Sequence, residues 1–181
     1  MSKFWLRIIA LCCVIVFGCT AVMVGINSGL TYNREQIRIM WLNLDDKIRH
    51  RYEEVPYIIR ILKRNQIDSS EDKHIINLYN SITELSSVQG PNEVARVYHQ
   101  LENHLSRVLS LANDYPKILE NPQFKNHVLH LEQSKTIIFT EHDNYNKAVK
   151  LYNVQITKFP HILLFFEREQ YFGTPNKSNK K

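Results

Sequence analysis

Eight histidines in a chain of 181 residues invite a metal or general-base reading, and their spacing decides how far it goes. Glu71-x-x-His74 has the spacing of a di-iron carboxylate ligand pair. Such a centre needs two of these motifs plus two further glutamates on facing helices, and no second Glu-x-x-His exists. His127 and His130 share one helical face at i, i+3, with no cysteine to complete a ligand set, while His99 and His104, five apart, fall on different faces. The cysteines Cys12, Cys13 and Cys19 all lie in the apolar start, so the rest of the chain holds no thiol nucleophile and no internal disulfide. Of the 5 glycines only Gly90 lies between residues 31 and 172, which excludes the glycine-rich phosphate loops. His-Glu-x-x-His and Gly-x-Ser-x-Gly are absent as well. The expectation is a protein without catalytic residues, bound metal or cofactor.

Two other groups carry polar chemistry at a telling period. Arg51 is the one polar residue in the series Ile37, Trp41, Leu44, Ile48, Arg51, Val55, Ile58, Leu62, whose spacings alternate between four and three. It reads either as a snorkelling side chain whose stem covers the seam or as a buried, paired arginine that fixes helix register. Glu102 and Glu132 are its candidate partners. The second group is a doubled Tyr-Asn pair, Tyr145-Asn146 and Tyr152-Asn153, seven residues apart. The tyrosines fall on the apolar seam of their helix, where each hydroxyl needs a partner or the rim. The asparagines fall beside the seam, placed to bond a neighbouring helix or loop, and the pair reads as structural register or as a ligand or partner site.

The elements that must position these residues begin with an anchor. Ile8 to Ile26 contains no charged residue, and Phe4, Trp5 and Leu6 extend its start. At about 1.5 Å per residue the run crosses a hydrocarbon core of roughly 30 Å. Lys3 and Arg7 flank it on the amino-terminal side, which favours a cytoplasmic N-terminus and a C-terminal region outside the cytoplasm, weakened by Arg34 and Arg38 beyond the other end. A cleaved signal peptide would have a shorter apolar core and a small-x-small cut site. Val16-Phe17-Gly18-Cys19 resembles a lipobox, but Phe17 is large and Thr20 to Ile26 stays apolar after the cysteine. Ala21, Gly25 and Gly29 recur every four residues, a small-residue face through which two membrane helices could pack as a homo-oligomer.

The net charge of +5 belongs to the chain ends. Lys3, Arg7, Lys177, Lys180 and Lys181 account for the excess, leaving 18 basic against 18 acidic residues between 31 and 172. No concentrated basic face is left for nucleic acid. The expected organisation is a membrane anchor over 1–29 (transmembrane about 5–26), a helical domain over 30–173, and a polar, basic, disordered tail over 174–181.

Within that domain the period is helical throughout. A first long helix carries the Arg51 series and should kink at Pro56. Asp68 with Glu71 reads as a capping box before Ile75, Leu78, Ile82 and Leu85. Pro91 opens a third helix with Val94, Tyr98, Leu101, Leu105, Val108 and Ala112, which stops before Pro116. Asn121-Pro122 caps a final helix carrying Phe124, Val128, Leu131, Lys135, Ile138, His142, Tyr145, Val149, Tyr152, Ile156 and Phe159, closed by Pro160. This predicts an all-α antiparallel bundle of two long and two shorter helices, preceded by one transmembrane helix.

The chain resembles the LemA family of membrane-anchored bacterial proteins. The resemblance is carried by Tyr32-Asn33 after the anchor, by His50-Arg51-Tyr52-Glu53-Glu54-Val55-Pro56, and by Leu105 to Leu109 leading to Tyr115-Pro116, then Asn121 and Phe124. It is strongest at Tyr145 to Asn153 running to Phe159-Pro160, and closes with Phe166 and Tyr171-Phe172. The chain departs from the family pattern at His50, Glu53, Glu54, Tyr57, Asn113, Lys135 and His142, so several interior polar partners are exchanged, including two acids at 113 and 135. The resemblance implies a helical domain displayed outside the cytoplasmic (inner) membrane on a single N-terminal helix. It implies no reaction, since the family has no established catalytic chemistry. Some members are linked to specialised membrane compartments and some are encoded near membrane proteases, which points to envelope maintenance or assembly. The expected role is a scaffold that meets the lipid bilayer and other envelope proteins; the alternative is a sensor that takes a small molecule or peptide in a groove of the bundle.

Overall fold

Prolines set most of the boundaries in the computed structural model, which describes residues 3–65 and 73–173. Helix α1 runs Lys3–Arg51, followed by a 3-10 turn at Tyr52–Glu54 and helix α2 at Val55–Arg64. Helices α3, Lys73–Ser87, and α4, Pro91–Ser110, follow; a 3-10 turn at Leu111–Asp114 and the short α5, Pro116–Leu119, lead to α6, Pro122–Gln155. The described residues contain no strand, as the helical period predicts. The expected capping box at Asp68 and Glu71, and the tail 174–181, lie outside the described residues.

Pro56 acts differently from a simple kink. It has no N–H to offer the carbonyl of Tyr52, four residues back. The N–H of Val55 takes that carbonyl instead, a 3-10 bond that separates α1 from α2. At the other long helix Pro160 leaves the carbonyl of Ile156 without its donor, and α6 ends at Gln155 rather than at Pro160. The apolar stripe therefore stops at Ile156, and Phe159, expected on the seam, is exposed.

Two helix starts follow their sequence signals. The side chain of Asn121 accepts bonds from the N–H groups of Gln123 (2.8 Å) and Phe124 (3.2 Å), capping α6. Gly90 takes φ 82°, a conformation that costs glycine nothing, immediately before Pro91 opens α4. The end of α3 has a cap that the sequence did not announce: Arg49 donates to the carbonyls of Leu85 and Val88 (3.1 Å for the latter), while its Nε holds Asp45 at 2.9 Å.

Contacts divide the chain into two units, Met1–Arg38 with Ala148–Glu169, and Ile39–Lys147 with Gln170–Lys181. No break in α1 marks residues 29 and 30. In the second unit α1 and α6 are antiparallel: Trp41 packs on Tyr145 at 5.9 Å between centroids, and Arg51 reaches the carbonyl of Leu131. Leu44, Ile48, Val55, Ile58, Leu62, Leu78, Leu101, Leu105 and Leu131 fill its core, each within 2% of complete burial. In the first unit Asn33 donates to Gln155 at 3.2 Å and Arg34 holds Glu169 at 2.6 Å. Its N-terminal part, from Phe4, has a mean hydropathy of 2.7 over its most apolar window, none of it buried, and is long enough to cross a membrane.

Candidate functional site

Arg51 is 3% exposed, and four of the five N–H donors of its guanidinium are engaged. Nε and Nη2 meet the two oxygens of Glu102 at 2.9 and 3.2 Å, and Nη1 bonds the carbonyl of Leu131 and the hydroxyl of Ser134 (3.0 Å). The hydroxyl of Tyr52 donates to the same Glu102 at 2.9 Å, and Lys135 stands 3.8 Å away. Burial alone would lower the pKa of Arg51, but the bonds and charge of Glu102 outweigh it and raise it. Burial and the charge of Glu102 likewise push Tyr98 up to about 12 and raise Tyr52, so both phenols stay protonated. Of the two acids considered for Arg51, Glu102 is the partner and Glu132 lines a groove instead.

The two Tyr-Asn pairs grip the C-terminal segment, each within its own unit. Asn146 donates to the carbonyl of Phe172 at 3.0 Å and accepts from its N–H at 2.9 Å. Asn153 treats Glu169 in the same way, at 2.9 and 2.8 Å. The tyrosines separate: Tyr145 donates to the carbonyl of Gln170 at 2.6 Å, whereas the hydroxyl of Tyr152 is buried with no hydrogen-bond partner. Ala21, Gly25 and Gly29 form an exposed face of α1, with open space where side chains on the two glycines would extend.

His127 and His130 converge on Glu54, at 2.5 and 3.3 Å, and Tyr57 stacks on His127 at 5.3 Å between centroids. Burial pushes the Glu54 carboxyl up, but its histidine partners outweigh this and hold it below its ordinary value. Among the described residues no group of three or more His, Cys, Asp or Glu side chains is arranged to hold a metal. His104 packs on His74 at 5.9 Å, while His99 faces the groove.

That groove, about 770 Å³, lies in the second unit between α4, α6 and the C-terminal segment. Tyr98, Phe139 and Phe172 supply its apolar wall, and His99, Lys135, His142 and Glu132 its polar groups. His142 is held in place by Asn146 at 2.7 Å and by edge contact with Phe172 at 5.2 Å. The groove thus joins an apolar wall to a polar edge of both signs, with Lys135 and the histidines beside Glu132.

The model of the LemA family matches residues 40–181. The chain belongs to the LemA family. This LemA-family chain is also similar to magnetosome proteins MamQ 1 and MamQ 2 of Paramagnetospirillum magneticum, at 34% identity over 74 residues in each case. The match covers 39% of the chain and 27% of each relative, so it spans about a quarter of the length of the curated relatives. The matched range contains both the Arg51 pairing and the asparagine grips. Lys135 and His142 both line the groove.

Proposed function

We propose that the protein is a membrane-tethered, non-enzymatic interaction module of the bacterial cell envelope, with its helical domain outside the cytoplasm. One observation carries the reading: a single helix, α1, bears the charge-free run Ile8 to Ile26 and, further along, the core-facing residues Leu30, Ile37, Leu44 and Ile48. A charge-free run on the same helix as core-facing residues suits a domain displayed on a membrane tether.

A reporter active only outside the cytoplasm, fused after Lys181, should be active; activity confined to a cytoplasmic reporter would reverse the orientation. Intact mass should show neither cleavage nor acylation at Cys19. Crosslinking in native membranes should recover a protein partner, and recovery of none would remove the scaffold role.

The groove favours a second reading, a sensor of an amphipathic carboxylate. Calorimetry with decanoate should show binding that Lys135→Glu abolishes without loss of helicity. Equal binding by Lys135→Glu would place the ligand elsewhere.

A further inference from the structure

The segment that follows α6 is unusually apolar for a surface turn. Phe159-Pro160-His161-Ile162-Leu163-Leu164-Phe165-Phe166 contains no Asp, Glu, Lys or Arg, with Lys158 before it and Glu167-Arg168 after it. Phe159 is 80% exposed, Phe165 89%, Ile162 52% and Leu163 51%. Phe165 is also held at φ 53°, a left-handed conformation that a bulky side chain rarely adopts. A soluble surface rarely concentrates such residues without something to cover them.

The place of the segment in its unit says what covers it. Its two ends are fixed to neighbouring positions on α1, Gln155 to Asn33 and Glu169 to Arg34. Those positions stand about 10.5 Å along the helix from Ile26, where the apolar run ends. Further down α1, Leu30 is fully buried and Ile26 and Met23 are half-buried, at spacings of four and three, while Val22 and Val24 are exposed. Complete burial of Leu30 needs a packed neighbour, and within this unit Ala148–Glu169 is the stretch clustered with Met1–Arg38. The part of it between Gln155 and Glu169 loops out from the Asn33 and Arg34 ties and is the candidate to cover that face of α1.

We propose that residues 159–166 lie in the lipid–water interface of the leaflet from which α1 emerges, a second membrane contact beside the spanning helix. The inference rests on the tethered reading of α1. Phe159, Ile162, Leu163 and Phe165 enter the boundary between headgroups and acyl chains, as the apolar faces of interfacial segments do. Lys158 and Arg168, both exposed, stand at the headgroup level, where anionic lipids attract them. The contact fixes the tilt and rotation of the helix at its exit, since the segment and α1 are tied by Asn33 and Arg34.

The test uses the full chain in vesicles of phosphatidylcholine and phosphatidylglycerol whose acyl chains carry bromine. Trp5→Phe removes one native tryptophan, and Trp41 stays as a common background. Into this chain Phe17→Trp, Phe165→Trp or Phe139→Trp is introduced, at mid-span, in the segment, and at an exposed site of α6 respectively. Phe165→Trp should be quenched by brominated lipid several-fold more strongly than Phe139→Trp, and most by bromines roughly 5–10 Å below the headgroups. Quenching of Phe17→Trp together with a Phe165→Trp that behaves like Phe139→Trp would overturn the proposal and leave the tether intact. Absence of quenching at Phe17→Trp would instead remove the tether itself, and the proposal with it. Protection of Phe165→Trp from iodide in native membranes but not in vesicles would show that a protein covers the segment, and would also overturn it.

Discussion

Arg51 illustrates how a buried charge is tolerated when a bidentate carboxylate and two further acceptors surround it. Its removal strands Glu102 between Tyr52 and Lys135, so Arg51→Ala should cost on the order of 3–5 kcal/mol in the urea midpoint of the full chain. Arg51→Met combined with Glu102→Gln should recover much of that loss; a loss below about 1 kcal/mol for Arg51→Ala would argue against a register role. The two tyrosines of the doubled motif should separate in the same assay. Tyr145→Phe removes the bond to Gln170 and should cost about 0.5–1.5 kcal/mol. Tyr152→Phe removes a buried hydroxyl that has no partner, and should leave stability unchanged or raise it.

At the scale of elements, side chains finish what the backbone leaves open. The Asn121 cap satisfies two N–H groups at the start of α6, and Asn121→Ala should cost about 1 kcal/mol. The asparagine grips hold the C-terminal segment by its backbone rather than by its side chains. Asn146→Ala leaves the N–H and the carbonyl of the buried Phe172 unpaired, and should cost about 1–3 kcal/mol. Hydrogen exchange at Phe172 should accelerate in this variant more than at Leu101 in the core. Equal acceleration at both would mean that the grip is not local.

For the whole molecule the titrating groups define a window of greatest stability. The Glu54 carboxyl lies below its ordinary 4.5 in the folded state because His127 and His130 outweigh the effect of burial. Its contribution is complete above about pH 4.5 and is lost as pH falls through the lowered folded value. His50, bonded to Glu53 and attracted by Asp46, is raised above its ordinary 6.5. Its contribution is complete below that value and is lost as pH rises through the raised folded value. The melting temperature should therefore fall as pH drops below about 4.5, and only slightly as pH rises above about 6.5, because His50 and Glu53 are exposed and their pairing is screened. Glu54→Gln should shrink the acid limb, leaving the smaller part due to the exposed Glu35–Arg38 pair, and leave the alkaline limb; an unchanged acid limb would exclude Glu54 as a source.

Helix identity and the buried stripes were legible in the residues alone, because a helical period is a local property. Ile37, Leu44, Ile48, Val55, Ile58 and Leu62 are buried at the positions their spacing indicates, and so are Leu131, Ile138, Tyr145 and Val149. Local rules also marked Asn121, Pro91 and the charge-free run of α1. They misplaced the end of α6, because a proline disrupts the turn before it as well as its own position. Partners were another matter. Whether Arg51 met Glu102 or Glu132 depended on the rotation and height of α4 and α6, which no single helix records. The convergence of His127 and His130 on Glu54, and the hold of Asn146 on Phe172, join residues 73, 76 and 26 positions apart. The tertiary fold alone decided those pairs, since closing such loops is governed by the packing of the whole chain rather than by any local spacing.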